Sequence, residues 1–325
     1  MFAYFVRRAG QAALVMAVIS LICFAVQHKI GDPIRDMVGE SVSEAERQEL
    51  RVKLGLADPL PQQYFRFVSN ALKGDLGISY MFGKPALDVI LNKFPATAEL
   101  VLCATLWVLV LSLPLGIYAA IRPRSVTTRI IMGSSIVGVS IPVFLIAIIL
   151  IWIFSVYLGW LPSFGRGETV VLPWGWTTGL LTWDGVKHMV LPSISLASLT
   201  LPLFIRLIRS EMMEVLQSEY VKFAYAKGLP LWRIYLVHAF KNTLLPVITV
   251  GGVRIGTMLA FTILTETVFQ WQGMGFIFLQ AVERADTSLL VAYLVVVGLI
   301  FVAVNTVVDL VYGLVNPMVR VAGRK

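Results

Sequence analysis

The residues of this sequence that are able to do chemistry do not stand at the spacings that catalysis requires. The nearest approach to a phosphate-binding loop is Gly77–Lys84, in which five residues separate the two glycines. A phosphate-binding loop has one residue fewer there and a Ser or Thr after its Lys, where this chain has Pro85. The three histidines, His28, His188 and His238, are scattered and form no His/Glu metal-binding pair. We therefore expect no enzyme activity, and no ATP hydrolysis by this chain alone.

The cysteines also argue against a metal or cofactor. Cys23 and Cys103 are the only two, and both stand in apolar runs. Two thiols supply neither a disulfide framework nor the ligand set of a cysteine-based metal site. We expect both to be packing residues, with no metal and no cofactor bound by this chain.

The composition is that of a membrane protein. Of the 325 residues, 58% are hydrophobic and 14% charged, with a mean hydropathy of +0.81. A soluble domain has about a quarter of charged residues. A membrane-spanning helix takes about 20 mostly apolar residues, and six segments qualify: about 9–28, 97–121, 130–159, 190–208, 243–268 and 288–314. The sequence therefore predicts an all-α polytopic membrane protein with six transmembrane helices. The third is long and contains Pro142, so it is expected to be tilted, kinked or extended beyond the bilayer. The first span is expected to be retained, because no small-residue cleavage pattern follows it.

The basic residues predict the orientation, because they accumulate in short loops on the cytoplasmic side. The loops after the second and fourth spans hold nine of them, whereas the loops after the third and fifth hold three: Arg166, Lys187 and Arg284. Both termini are therefore expected in the cytoplasm. The net charge of +8 needs no nucleic-acid partner, and Arg166 is expected to be an ordinary surface residue.

The long external segment, 29–96, is expected to form a small folded cap after the first span. Ser43 and Glu46 form a capping box that opens a helix, and Gly55 supplies its stop. A second amphipathic stretch covers Gln62–Leu72. Two interpretations are equally favoured: a cover at the membrane interface, or a docking surface for a soluble partner.

The longest cytoplasmic loop, at 209–245, mixes a helical stretch, a glycine and a second helical stretch. Val221–Lys227 favours a helix, Gly228 interrupts it, and the following residues run into the fifth span. A helix–turn–helix of this kind presents a rigid knob. The alternative is an amphipathic helix that rests on anionic lipid headgroups through its basic residues.

This loop resembles the cytoplasmic EAA loop of ABC-importer permeases, in the form found in the dipeptide/oligopeptide/nickel family. The residues that match its pattern are Tyr220, Val221, Ala224, Ala226, Lys227 and Gly228, followed by His238, Ala239, Asn242 and Pro246. Lys222 and Phe223 depart from the general EAA form, where Glu and Ala would stand.

The resemblance covers nearly the whole chain. Further matching pieces are Gly31-Asp32-Pro33, Leu54-Gly55-Leu56, Gly74-Asp75-Leu76-Gly77, Glu266-Thr267-Val268-Phe269 and Asn316-Pro317. Each piece is weak, but their order and spacing are specific. The long external segment is similar to that of the B-type subunit rather than the C-type.

The resemblance implies a type I importer permease in the bacterial inner membrane, divided into 1–28, 29–96, a membrane core at 97–316 and a tail at 317–325. Its partners would be a C-type permease, two ATPase subunits that bind ATP and Mg, and a periplasmic or lipid-anchored binding protein. The coupling residues in contact with an ATPase subunit would be Tyr220, Val221, Ala224, Ala226, Lys227, Gly228, Leu229, Trp232, His238 and Asn242. Peptide is the expected substrate, with nickel, glutathione and opine-like compounds as alternatives. An ion-coupled secondary transporter is the rival class, although the acidic or histidine relays that it would need within the spans are not evident.

The fifth span carries the candidates for the transport pathway. Arg254 lies about 16 Å along it, too deep to reach either surface easily. The same face carries Thr257, Met258 and Phe261, whereas Glu266 stands at the outer end as a gate residue or a helix-end cap. Arg254 either lines a wet pathway or pairs with an acidic or carbonyl group of a partner subunit, unless the span itself is misplaced. Gly252 and Gly256 form a small-residue face that is expected to pack on another helix.

Overall fold

A computed structural model describes residues 2–30 and 58–315 of the chain. Several predicted features lie outside the described residues: the helix opened by Ser43 and Glu46, its stop at Gly55, the motifs Gly31-Asp32-Pro33, Leu54-Gly55-Leu56 and Asn316-Pro317, and the tail at 317–325. The chain forms two compact units. The first contains Met1–Ala96, Pro173–Trp176 and Gln272–Ala303, and the second contains Thr97–Leu172, Thr177–Trp271 and Val304–Lys325.

The described residues are mostly helical. The helices are α1 (Phe2–Ile30), α2 (Leu60–Leu72), α3 (Ala86–Ile121), α4 (Val126–Ser140), α5 (Val143–Tyr157), α6 (Trp183–Ser198), α7 (Leu201–Leu216), α8 (Glu219–Ala226), α9 (Leu231–Val268), α10 (Met274–Glu283) and α11 (Thr287–Val315). The last part of α5, Ile151–Tyr157, and a segment of α9, Ile234–Ala239, are π-helical. Two short antiparallel pairs join β1 (Ile78–Ser79) to β2 (Lys84–Pro85), and β3 (Val170–Val171) to β4 (Thr177–Thr178).

The predicted spans are present, but two of them are broken. Four helices of the described residues are long and apolar enough to cross a membrane, and two bent pairs, α4–α5 and α6–α7, raise the number to six. The all-α membrane fold with six spans is therefore confirmed. The helix of the second span begins at Ala86, before the predicted span start at residue 97.

The break in the third span has its cause at Pro142. Ile141 and Pro142 both have extended backbone, with ψ of 125° and 142°, because a proline disfavours helical geometry in the residue before it. The predicted kink is confirmed, but the bend between α4 and α5 reaches 108°. The 54° bend between α6 and α7 was not predicted. Thr200 precedes α7 there, and Pro202 occupies its first turn, where a missing N–H costs nothing.

In the second unit α9 packs on α5, α6 and α7, while α4 packs on α7 and α5 on α6. Gly252 permits a close approach to α11, since an added Cβ would lie 2.0 Å from Cγ2 of Val308. Gly256 is buried as well. The prediction that this glycine face packs on another helix is confirmed, and it places Arg254 on a different side of α9.

In the first unit the β1–β2 hairpin is fixed to the start of α11 by a buried carboxylate. Asp286 Oδ2 accepts hydrogen bonds from Ser79 Oγ at 2.6 Å and from the backbone N–H of Met81 at 3.2 Å. Its Oδ1 accepts from the N–H of Leu289 at 3.1 Å, which caps the helix. One side chain thus holds a hairpin and a helix terminus together.

Candidate functional site

The turn between α8 and α9 has the helix–turn–helix form that the sequence predicts. Gly228 has a φ of +69°, which only glycine adopts without strain. Its N–H donates to the carbonyl of Tyr225 at 2.9 Å, and the N–H of Leu229 donates to the carbonyl of Ala224 at 3.3 Å. This pair of hydrogen bonds is a Schellman motif, so the direction of the turn is set by the backbone.

The inner side of this turn is a small apolar core. Val221, Ala224 and Ile234 are buried and pack with Val215, Leu216, Leu229 and Tyr235. Tyr225 lies at the edge of this core and is 42% exposed; partial burial and a hydrogen bond with Tyr235 raise its pKa to about 12. The Nδ2 group of Asn242 donates to the hydroxyl of Tyr220 at 2.6 Å, which ties α8 to α9.

The outer side of the turn leaves large apolar side chains uncovered. We call Tyr220, Phe223, Leu231 and Trp232 the aromatic surface; they are 44%, 61%, 56% and 62% exposed. The Nζ of Lys227 lies 4.6 Å from the ring centroid of Phe223. Exposed apolar side chains in a group mark a contact site.

The predicted coupling residues therefore separate into two sets. Val221 and Ala224 are buried in the apolar core, and Leu229 and His238 are half-buried. The exposed ones are Tyr220, Ala226, Lys227, Gly228, Trp232 and Asn242. Phe223 was named only as a departure from the family pattern. The sequence contained a signal for its position. Phe223 comes three residues after Tyr220 in the same helix, so the two share a face, whereas Val221 and Ala224 lie on the other side of that helix.

The pathway candidates on α9 do not share one exposed face. Arg254 and Phe261 are exposed, Thr257 is half-buried, and Met258 and Glu266 are buried. The hydroxyl of Thr257 donates to the backbone carbonyl of Arg254 at 2.8 Å. The guanidinium of Arg254 has no hydrogen-bond or ion-pair partner among the side chains that the structure describes.

A cavity of about 380 Å³ lies beside Arg254 within the second unit. Its lining residues come from α3, α9 and α11, together with Thr200 and Phe204 at the start of α7, and they are apolar apart from Thr105, Thr200 and Arg254. Two of the five pathway candidates, Arg254 and Met258, thus line the same cavity.

A buried polar cluster lies at the other end of α9. Glu266 is fully buried and accepts from Thr97 Oγ1 at 2.7 Å. Glu99, in the same helix as Thr97, is 2% exposed and forms an ion pair of 2.8 Å with Arg166. The guanidinium of Arg166 also lies 5.9 Å from the ring centroid of Trp271. We call Thr97, Glu99, Arg166 and Glu266 the buried cluster.

The expectation that Arg166 is a surface residue is wrong. Its side chain is 13% exposed and donates to Thr177 Oγ1 at 2.9 Å as well as to Glu99. Sequence reasoning missed Glu99. The available signal was its position, because an acidic residue at the start of an apolar span needs a partner. Glu266 is fully buried.

The sequence matches two described families. Residues 112–321 match the binding-protein-dependent transport system inner membrane component, and residues 1–101 match the N-terminal part of the same kind of protein.

Curated relatives match along their full length. The dipeptide transport system permease protein DppB of Escherichia coli K12 is 36% identical, and the di/tripeptide transport system permease protein DppB of Pseudomonas aeruginosa is 38% identical, each over 98% of this chain and 99% of the relative. The glutathione transport system permease protein GsiC of Pectobacterium atrosepticum is 32% identical over 98% of both chains. A solved structure of the MetNI methionine ABC transporter in an inward facing conformation matches 71% of this chain and 98% of its own, with a TM-score of 0.56 and 15% identity, which is a likeness of fold.

Proposed function

We propose that this chain, which belongs to the family of binding-protein-dependent transport system inner membrane components, is the B-type permease of an ABC importer for di- or oligopeptides. The observation that most supports this proposal is the 36–38% identity with dipeptide and di/tripeptide permeases over 98% of the chain. Glutathione is the second candidate, because a glutathione permease is 32% identical over the same share.

The proposed assembly contains a C-type permease, two ATPase subunits and a periplasmic or lipid-anchored binding protein. ATP and Mg would bind to the ATPase subunits, since this chain contains no phosphate-binding loop. Both termini would lie in the cytoplasm of a bacterial inner membrane, an orientation supported by nine basic residues against three in the loops.

We infer that the aromatic surface binds in a groove of an ATPase subunit. Side chains such as Phe223 and Trp232, which are 61% and 62% exposed, gain free energy when a partner covers them. Because the Schellman motif at Gly228 and the apolar core below it make the turn rigid, movement of the ATPase subunit would be passed to α9 as a displacement of the helix. Where packed helices have two stable arrangements, displacement of one rigid element at their interface is sufficient to switch them from one arrangement to the other.

We further propose that Arg254 faces the substrate pathway. A cation at this depth of an apolar helix is stable only where water or a partner charge reaches it. Its exposure supports a wet pathway bordered by a second permease.

The test of function is uptake by the reconstituted complete transporter. Proteoliposomes that contain this chain, its partner permease and the ATPase subunits would be supplied with binding protein, ATP and a radiolabelled dipeptide. We expect ATP-dependent accumulation that an excess of unlabelled dipeptide abolishes and that vesicles without this chain lack. Accumulation of glutathione or a nickel complex with no competition from dipeptide would contradict the peptide assignment.

A further inference from the structure

The amphipathic helix α2 packs against the first span at a depth that the sequence does not reveal. The hydroxyl of Tyr64 lies 2.7 Å from Oγ of Ser20. The ring of Phe24 meets Tyr64 edge-on, with centroids 5.5 Å apart, and lies 6.1 Å from the ring of Phe67. One side of α2 is therefore fixed to α1 by aromatic contacts and a hydrogen bond.

The contacted residues of α1 lie inside the apolar part of that helix. The apolar stretch Arg8–His28 has 21 residues, which span about 31 Å and match the hydrocarbon thickness of a bilayer. At about 1.5 Å per residue, Phe24 lies about 6 Å and Ser20 about 12 Å from the level of His28. Helix α2 therefore lies where the hydrocarbon begins, below the level of external water.

A second apolar flank of α2 has no cover among the described residues. Phe65 and Leu72 are 72% and 84% exposed, and they lie about 100° and 80° round the helix from Tyr64. The polar side is opposite, since Arg66 lies about 200° from Tyr64 and pairs with Asp58. With Tyr64 turned toward α1, Phe65 and Leu72 point sideways from that contact and away from the polar side.

We propose that α2 is an interfacial membrane helix, with Phe65 and Leu72 inserted among lipid acyl chains and the Arg66–Asp58 pair at headgroup level. The occupant of this flank is lipid rather than a soluble partner, because the aromatic contacts with Phe24 hold the helix inside the hydrocarbon boundary. A helix with a broad apolar side and a charged opposite side lies in the interface plane in this manner. The proposal is independent of what the chain transports.

The test measures what surrounds the flank in the complete transporter, reconstituted in phosphatidylcholine bilayers. Nitroxide labels would be placed singly through Phe65→Cys, Leu72→Cys and, as control, Lys73→Cys, in a background with the natural cysteines replaced by Ala. Lys73 is exposed and lies about 100° round the helix from Leu72. We expect the labels at 65 and 72 to collide several-fold more often with oxygen, which concentrates in lipid, than with a water-soluble nickel complex, and the label at 73 to show the reverse ratio.

Two results would overturn the proposal: labels at 65 and 72 that favour the nickel complex, or labels that the binding protein shields from both reagents. A second measurement applies where the cysteine-free background fails to assemble. Phe65→Trp in the natural background adds a fluorophore that acyl-chain-brominated phosphatidylcholine should quench and aqueous iodide should not. Quenching by iodide alone would place the flank in water and refute the proposal.

Discussion

The two ends of α9 differ in how far their side chains are buried. At its start, Leu231 and Trp232 are 56% and 62% exposed. They lie on the outer side of the turn, and the small apolar core lies on its inner side. At its end, Glu266 is fully buried and accepts a hydrogen bond from Thr97. Glu99, two residues after Thr97 in the same helix, is buried and pairs with Arg166. An exposed apolar group gains free energy from a partner outside the chain, whereas a buried charge must find all its partners within it. The first end therefore exposes a surface that a partner can cover, whereas the second end is held by contacts within the chain.

The largest effect is expected from breaking the fixed end. Arg166→Ala leaves Glu99 buried and unpaired, which costs about 3–5 kcal/mol for an ion pair of this kind. We expect a strongly lowered midpoint of thermal unfolding and a reduced yield of the assembled permease. Both are measured on detergent-purified protein by differential scanning fluorimetry and size-exclusion chromatography.

The matched control for this variant is Arg124→Ala, because Arg124 is exposed and lies in a loop. Adding Glu99→Gln to Arg166→Ala should recover part of the loss, since it removes the unpaired charge. Equal unfolding midpoints for the two single Arg variants would mean that the buried cluster contributes no stability.

The difference between the two ends also separates what the sequence predicts from what it does not. The turn at Gly228 and the packing face at Gly252 follow from local spacing, because a glycine between helical stretches and a small-xxx-small pattern carry their own physical meaning. The Glu99–Arg166 pair joins residues far apart in the chain, and no local period encodes such a pairing. For the same reason the kink at Pro142 is predictable but its size is not, since packing of the flanking helices sets the angle.

The next largest effect is expected at the binding end. Gly228→Val forces a β-branched residue into positive φ, although an added Cβ would meet no atom within 4 Å, so the cost arises from backbone conformation alone. We expect insertion and pairing with the partner permease to be retained, uptake to fall severely, and the ATPase subunits to dissociate or hydrolyse ATP without regard to substrate.

Gly228→Asn is the control, because Asn tolerates the left-handed conformation better than other non-glycine residues. It should keep most of the uptake and co-purify with the ATPase subunits. Uptake and co-purification at wild-type levels in Gly228→Val would show that the turn rests on lipid and that the contrast between the two ends has no role in coupling.

A smaller and more selective effect is expected from Arg254, between the two ends. Arg254→Ala should lower uptake several-fold while the complex assembles and ATP hydrolysis continues, because a pathway residue touches substrate and not the ATPase. Arg254→Lys keeps the charge and should retain more uptake than Arg254→Ala. Loss of assembly in Arg254→Ala would instead identify a structural pair with the partner permease, and unchanged uptake would refute both interpretations.

The smallest effect is expected from Tyr220→Phe, which deletes the hydroxyl that accepts from Asn242 while the ring of the aromatic surface remains. A neutral hydrogen bond contributes about 0.5–1.5 kcal/mol, so assembly should be unchanged and uptake nearly so. A double-mutant cycle with Asn242→Ala measures the bond directly, and the two changes should be non-additive by about the same amount. Tyr157→Phe, at a residue that is 79% exposed, is the control for loss of a hydroxyl. Full additivity would show that the apolar core under Gly228, without this bond, holds α8 on α9.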